Sequence, residues 1–385
     1  MALGFQTQDC TETEDMPRPL IPETSPAQSG KINEAFHDTL FSTWGFANAW
    51  VTAFPERDRI FPIAVTGSGR PRSMYCIQTP ADFGTRSASA GHPDLYSSPG
   101  WEGVLERETV KGILNQITPW PTRRLTWRVR FDHGPLAQIL QSCGLSARPQ
   151  VTQIIHLQQS YETTLGGYSA TTRNHIRKAH RRGLVIREAR SIEDLSASQE
   201  IYSALALEKG WHFMYPLELS SQLAAQPAIA RFFVAEFEGR IVGGALFVRD
   251  GCSVLYLIGA TDRCYATLYP APALIDAGVR WAYDVSATFL NMGPSGSNAS
   301  LAQFKSSFGC CDEADWIFHW ENDMVARLKA IRRAAANGIN RLGVYAGQRS
   351  SRITGIARQG PTALDDLVRT SFDGVLSRRY QCRGQ

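Results

Sequence analysis

Apolar positions along the chain recur with two different periods, one helical and one alternating. From Asn33 to Phe54, Phe36, Leu40, Trp44, Phe46, Trp50 and Phe54 fall at roughly helical spacing, which predicts a helix. IFPIAV then reads as a strand, and the Gly-, Pro- and Ser-rich stretch from Gly67 to Gly100 as loop with short strands. Trp101 to Ile117 is expected to be helical, and LTWRVRF (Leu125 to Phe131) alternates like a half-buried strand. A second series starts near Val151, where VTQIIHLQ reads as a strand. TRNHIRKAHRRGL (Thr172 to Leu184) follows as a helix closed by Gly183, and LVIREA as a further strand. Ile192 to Lys209 predicts a helix, GWHFMYP a loop, and Leu217 to Ala230 a helix or helical pair. The clearest pattern is RFFVAEF, IVGGALFV and CSVLYLIGA, three apolar runs joined by the short turns EGR and RDG, hence an antiparallel meander. Pro270 to Asp284 reads as a helix, ATFLNMG as a strand, and Asp315 to Trp320 as another strand after an intervening loop.

These elements predict an α+β protein, in which mixed, largely antiparallel sheets are flanked by helices. A length of 385 residues with 43% apolar content suffices for two lobes, here placed at 31–150 and 151–325. Residues 1–30 carry five carboxylates and four prolines with little to bury, and are expected to be a disordered leader. Residues 326–385 begin with a helical composition and then lose periodicity. They hold twelve Lys/Arg against three Asp, a net +9, leaving −5 for the rest of a chain whose total is +4. A solvated tail accounts for that charge, as does an acidic partner such as tRNA or a peripheral anionic membrane surface. Eight scattered cysteines form no C-x-x-C pair, which suggests free thiols in a reducing compartment. No signal-peptide pattern or run of about 18 apolar residues is present, so a cytoplasmic location is expected.

Candidate chemistry sits at four places in order. They are R-N-x-I-R-K-A-x-x-x-G-L (Arg173 to Leu184), the strand pair around Ala235, Gly239 and Gly243, Y-L-I-G-A-T (Tyr256 to Thr261), and F-K-x-x-F-G (Phe304 to Gly309). In this order the segments resemble the FemAB-like branch of the GNAT acyltransferase superfamily, the peptidoglycan-bridge aminoacyltransferases and their acetyltransferase-like relatives. The likeness covers about Val151 to Trp320. It implies two GNAT-like lobes facing a cleft, where an amine attacks an activated acyl carbon. It also implies acyl-CoA or aminoacyl-tRNA as donor substrate, no permanently bound cofactor and no metal. The acceptor it implies is a small-molecule or lipid-linked amine on a cell-envelope or saccharide precursor.

The pattern departs from ordinary CoA-dependent members. The helix after YLIGAT is entered through DRCYATLYPAPAL, without the glycines that let a backbone cradle a pyrophosphate. Asn291 also stands where the family commonly has an acid. Lys305, between two aromatics beside Gly309, is the first catalytic candidate, as an ammonium that steadies the oxyanion; a lysine packed in an aromatic turn is the simpler alternative. Tyr256 is the second, as proton donor or orienting group, against a core tyrosine. Arg173 and Arg177 lie on one side of the basic helix as phosphate ligands, or else belong to a solvated helix end. Trp211 and Phe304, with Asn291 and Gly293, complete the expected substrate- and donor-binding set. A non-catalytic RNA-binding module, or a degenerate acyltransferase-like interaction protein, remains the rival reading.

Overall fold

Serine or asparagine side chains cap the starts of four helices among the described residues, and glycines close several turns. The computed structural model describes residues 40–322, apart from 43, 66–71, 82–83, 91–95, 97–105, 120 and 212, together with 324 and 327. The expected leader and nearly all of the basic tail therefore lie outside the described residues, as does Phe36.

In chain order the first elements are α1 (Trp44–Ala53), β1 (Arg59–Val65), β2 (Arg72–Pro80), β3 (Arg86–Ala90), α2 (Arg107–Ile117), β4 (Thr122–Val129), α3 (Gly134–Ser142) and β5 (Ser146–His156). They are followed by α4 (Tyr161–Gly167), α5 (Ala170–Arg181), β6 (Val185–Glu188), α6 (Ile192–Lys209) and α7 (Leu217–Ala224). The meander is β7 (Ala230–Phe237), β8 (Arg240–Asp250) and β9 (Ser253–Thr261). The chain then forms α8 (Pro270–Asp284), β10 (Phe289–Asn291), α9 (Ala299–Ser306) and β11 (Cys311–Glu321).

The basic helix α5 illustrates the local logic. Ser169 Oγ accepts from Thr172 N–H at 3.1 Å at its start. At its end Gly183 takes φ +85°, where only glycine is unstrained. Leu184 N–H then reaches Ala179 O and Gly183 N–H reaches His180 O, satisfying carbonyls the last turn would leave open.

The strands form one sheet in the order β1-β2-β3-β4-β11-β5-β10-β9-β8-β7-β6. Pairs β3/β4 and β9/β10 are parallel. The hairpins β1/β2, β7/β8 and β8/β9 are antiparallel, so the mixed, largely antiparallel α+β architecture expected from the pattern holds. The described residues from 40 to 80 and from 86 to 320 pack as one compact unit, and β5 runs across the lobe boundary expected at 150/151. In the separate group that includes 81–85, Ala81 N–H donates to Thr85 O.

The two halves of the sheet are covered differently. Around β7–β10, one apolar cluster joins one sheet face to α5 and α8, and a second joins the other face to α1, α6 and α7. Around β1–β4 one cluster, with Leu125, Trp127 and Val129 from β4, packs under α2 and α3, while Ile60, Tyr75 and Ile77 of β1 and β2 join the cluster that holds α1. Each such side chain contributes roughly 1.5–3 kcal/mol by leaving water. The alternate residues of β4, Arg124, Thr126 and Arg128, point to the opposite face and form part of the floor of a cleft.

Candidate active site

The cleft has a volume of about 1300 Å³. Its floor comes from Arg124 and Arg128 of β4, Arg148 and Gln150 of β5, and Ile317 and His319 of β11. These strands are neighbours in the sheet although the chain separates them by up to nearly 200 positions. One wall is the end of α6 and the following loop, with Lys209, Trp211 and Phe213. A second wall runs from Thr261 through Arg263 and Tyr269 to the first turn of α8, and a third is the loop Pro294 to Asn298 with Leu301 and Phe304 of α9.

The opening exists because two strands part. β10 pairs with β9 only along Ser253–Leu255, and β9 then continues alone on that side to Thr261 at the cleft. A bulge at Leu257, where Leu246 faces Ile258 but Phe247 faces Tyr256, bends β9 over the same stretch.

The lining is strongly one-signed. Arg57, Arg124, Arg128, Arg148, Lys209 and Arg263 contribute six cationic groups, and no Asp or Glu lines the cleft among the described residues. Four of the six have carboxylate neighbours outside the lining: Arg57 pairs with buried Asp58 at 2.8 Å, Arg263 and Lys209 share Glu208 at 2.7 and 3.8 Å, and Arg128 approaches Asp315 at 3.6 Å. Burial, and then Arg148 and Arg124, push the His319 imidazole down to about 4, so it is neutral near pH 7. His175 is also held below the usual imidazole range, by burial and then Lys178, and stacks on Tyr269 at 4.0 Å.

On the same face as the floor, further along β11, lies a buried polar cluster. Asp315 accepts from Tyr96 Oη and, at 3.0 Å, from Phe131 N–H; Asn291 Nδ2 donates to Tyr96 Oη at 2.9 Å. Burial raises the Asp315 carboxyl to about 6 despite Arg128.

Of the residues expected from sequence, Trp211 and Phe304 line the cleft. Lys305 does not. It lies in the last turn of α9 rather than in a loop, is 0% exposed, and its ammonium donates to Gly293 O and Pro294 O, both at 2.8 Å. Tyr256 does not reach the cleft either: it is a core residue stacked on Phe247 at 5.3 Å, with its ring packed over Gly259, where a Cβ would collide with it.

Arg173 turns back to donate to Gly166 O at 2.9 Å and to Tyr168 O, closing the end of α4, and Arg177 is exposed outside the lining. His175, between them, is the residue of α5 that reaches the cleft, because the helix turns it toward Tyr269. Asn291 is buried under the third wall, where its Oδ1 accepts from Thr152 Oγ1 at 3.1 Å and from Gly293 N–H at 2.7 Å. Gly293 turns the chain there at φ +70°. The sequence reading missed Arg124, Arg128, Arg148 and His319. The signal available was the alternation of arginine with apolar residues in TRRLTWRV.

The first turn of α8 differs from a phosphate-binding helix start. Tyr269 is its N-cap at φ 57°, and Pro270 and Pro272 occupy the first and third helical positions, where proline has no N–H to offer.

Comparison with known proteins agrees with this geometry. Residues 167–306 match the family described as acetyltransferase (GNAT) domain. A UDP-N-acetylmuramoylpentapeptide-lysine N(6)-alanyltransferase of Weissella viridescens is 25% identical over 189 residues, 46% of this chain and 55% of that one. The chain thus spans about half the length of this curated relative. The crystal structure of FemX superposes with a TM-score of 0.61 at 13% identity, over 79% of this chain and 98% of that chain. The C-terminal domain (DUF2156) of a protein assigned as a lysylphosphatidylglycerol synthetase of Agrobacterium fabrum superposes at 0.50 with 12% identity, over 79% and 96%. At such identities the structural likeness concerns the fold. Together, the domain match over residues 167–306, the alanyltransferase relative and the FemX-like fold support a GNAT domain of the FemAB-like branch in this part of the chain.

Proposed function

We propose that the protein transfers an aminoacyl group from an aminoacyl-tRNA ester to the amine of a phosphate-bearing cell-envelope precursor, free or lipid-linked. The observation that carries this reading is the carboxylate-free, six-cation lining of the cleft, which suits a reaction between two polyanions. The relative from Weissella viridescens, named as an alanyltransferase acting on a muramoylpentapeptide lysine, supports the same class of acceptor. Prolines at the first and third positions of α8 weigh against the alternative donor, because a CoA pyrophosphate would find two backbone donors missing there.

The chemistry is direct aminolysis. The amine nitrogen attacks the ester carbonyl carbon, a C–N bond forms, and the carbonyl oxygen becomes an oxyanion. As the C–O bond breaks, the proton lost by nitrogen ends on the departing ribose oxygen. The positive field lowers the pKa of the incoming ammonium, enlarging the reactive amine fraction, and it steadies the oxyanion. Trp211 and Phe304 supply apolar walls that hold the reacting groups in line. Tyr256, packed in the core, enters no step that requires contact with substrate.

The test offers the full chain labelled alanyl-, seryl- or glycyl-tRNA, and acetyl-CoA in parallel, with UDP-linked and lipid-linked muramoyl pentapeptide as acceptors. Label is expected on the precursor from tRNA. Turnover of acetyl-CoA alone, or of neither donor, rejects the proposal.

A further inference from the structure

One corner of the cleft is organised by a carboxylate that does not line it. Asp58 sits in the turn between α1 and β1, where its N–H and that of Arg57 both donate to Phe54 O, at 3.0 and 3.2 Å. Its side chain is 0% exposed and accepts from three residues. Trp50 Nε1 donates to Oδ2 at 2.7 Å and Thr79 Oγ1 to Oδ1 at 2.8 Å. Arg57 spans both oxygens, through Nε at 3.1 Å and Nη2 at 2.8 Å. All three donors line the cleft, and they come from α1, the following turn and β2.

The contact with Asp58 uses one edge of the Arg57 guanidinium and leaves another. Nε and Nη2 meet the carboxylate, so Nη1 and the second N–H of Nη2 remain as a fork for a further oxyanion. The side chain is 40% exposed, which leaves that fork open to the cleft. Its plane is held as well. The guanidinium carbon lies 4.3 Å from the centre of the Phe54 ring and 5.4 Å from that of Phe213, and these two rings stack at 5.8 Å. An arginine fixed along one edge and over its face has little rotamer freedom left to lose when an anion arrives. Lys209 and Arg263 share Glu208 where all three side chains are exposed to water, and pairs of that kind fix geometry weakly.

We propose that Asp58 is a positioning residue that aims Arg57 into the cleft, and that the corner formed by Trp50, Arg57 and Thr79 is a subsite for an oxyanion group of the acceptor, a phosphate or a carboxylate. Ser87, paired with Thr79 across β2 and β3, lines the same corner and adds a hydroxyl donor. That the anion belongs to the acceptor rests on the acyl-transfer reading above; that Asp58 aims Arg57 does not.

Charge and aim give opposite expectations for Asp58→Asn. Removing a negative charge behind Arg57 makes the corner more positive, so a carboxylate that merely neutralised the arginine would, once lost, let an anion bind more tightly. A carboxylate that aims the fork would let it bind less tightly, because asparagine offers one acceptor oxygen and turns an NH2 group toward the other donors. The measurement is NMR on the full chain with no acyl donor present, titrating inorganic pyrophosphate and, separately, N-acetyl-alanine. In the wild-type protein the Arg57 Nε–H and Trp50 indole N–H resonances, which share Asp58, are expected to shift saturably with at least one of these anions, and the one that moves them identifies the group. Asp58→Asn is expected to weaken that binding by roughly three- to tenfold, as is Arg57→Lys, which keeps the charge and loses the fork. Unchanged or tighter binding in Asp58→Asn overturns the proposal. So do wild-type Arg57 and Trp50 resonances that follow neither anion, and this arm stands even where the asparagine variant fails to fold. Because no donor takes part, a failure of aminoacyl transfer in the assay above leaves these outcomes unchanged.

Discussion

Asp315→Asn is the sharpest probe of the buried polar cluster beside the cleft floor. The carboxyl has no exposed surface, and burial outweighs Arg128 and its hydrogen bonds from Tyr96 and Phe131 to lift it from 3.8 to about 6. A folded pKa above the unfolded one means the native state binds the proton more tightly. The stabilisation is therefore fully present below about pH 4 and is lost as pH rises through about 6. A gap of about two units, at 1.36 kcal/mol each, corresponds to on the order of 3 kcal/mol lost across that window. Asparagine cannot titrate, keeps an oxygen for Phe131 N–H, and removes this pH dependence. Urea unfolding followed by tryptophan fluorescence at several pH values between about 4 and 7 gives the stability difference between variant and wild type. That difference is expected to move in favour of the asparagine variant by on the order of 3 kcal/mol from the acid to the neutral end. A constant penalty for rearranging the Tyr96 hydroxyl shifts both ends equally, and His133 and His319, each pushed down to about 4 with burial as the main cause, titrate in both proteins. A flat difference, or one that moves against the variant as pH rises, refutes a buried carboxyl that resists ionisation.

Other variants separate the roles of the remaining residues. Arg148→Ala is expected to raise the His319 pKa part of the way back from about 4, since burial remains, and to weaken pyrophosphate binding; NMR titration reads both. Arg130→Met leaves Asp250 and Asp132 without the guanidinium they share and should destabilise the fold by about 3–5 kcal/mol, measured by urea unfolding. Gly278→Ala drives a methyl group into the Phe247 ring, so a loss of at least about 1–3 kcal/mol is expected in the same assay. Trp211→Ala and Phe304→Ala should lower aminoacyl transfer, whereas Arg177→Ala, outside the lining, should leave it unchanged in the same labelled-donor assay.

What could be read from the sequence and what could not divide along a physical line. Helices α6 and α8 occupy the residues their periodicity predicts, the meander follows its glycine turns, and Gly183 closes α5, because each depends on contacts only a few positions apart. The segment FKSSFG was expected to be a loop because Gly309 and two aromatics frame it. Asn298, six residues before Phe304 in the sequence, instead nucleates a helix that carries Phe304 and Lys305. A side chain's direction on that helix decides its function. Phe304 faces the cleft, and its neighbour Lys305, one position and about 100° further round, faces inward to Gly293 and Pro294.

The basic helix and the cationic floor show the same distinction from the other side. Five Arg/Lys in thirteen residues draw attention to Thr172–Leu184, yet a contiguous helix spreads its charges around the axis. Arg173 closes α4, Arg182 reaches Thr267 O and Arg177 meets solvent, leaving His175 to face the cleft. Arg124 and Arg128 sit in an equally basic stretch, TRRLTWRV, whose apolar alternation reads first as a core strand, and Arg148 and His319 stand alone in theirs. A sheet that places β11 between β4 and β5 concentrates them on one face, and strand alternation keeps them there while Leu125 and Trp127 fill the core behind. Local charge density in the sequence therefore does not by itself say which charges face the cleft; strand order assembles those. In a protein of this architecture, single arginines that alternate with buried apolar residues in central strands are the better guide to the cleft.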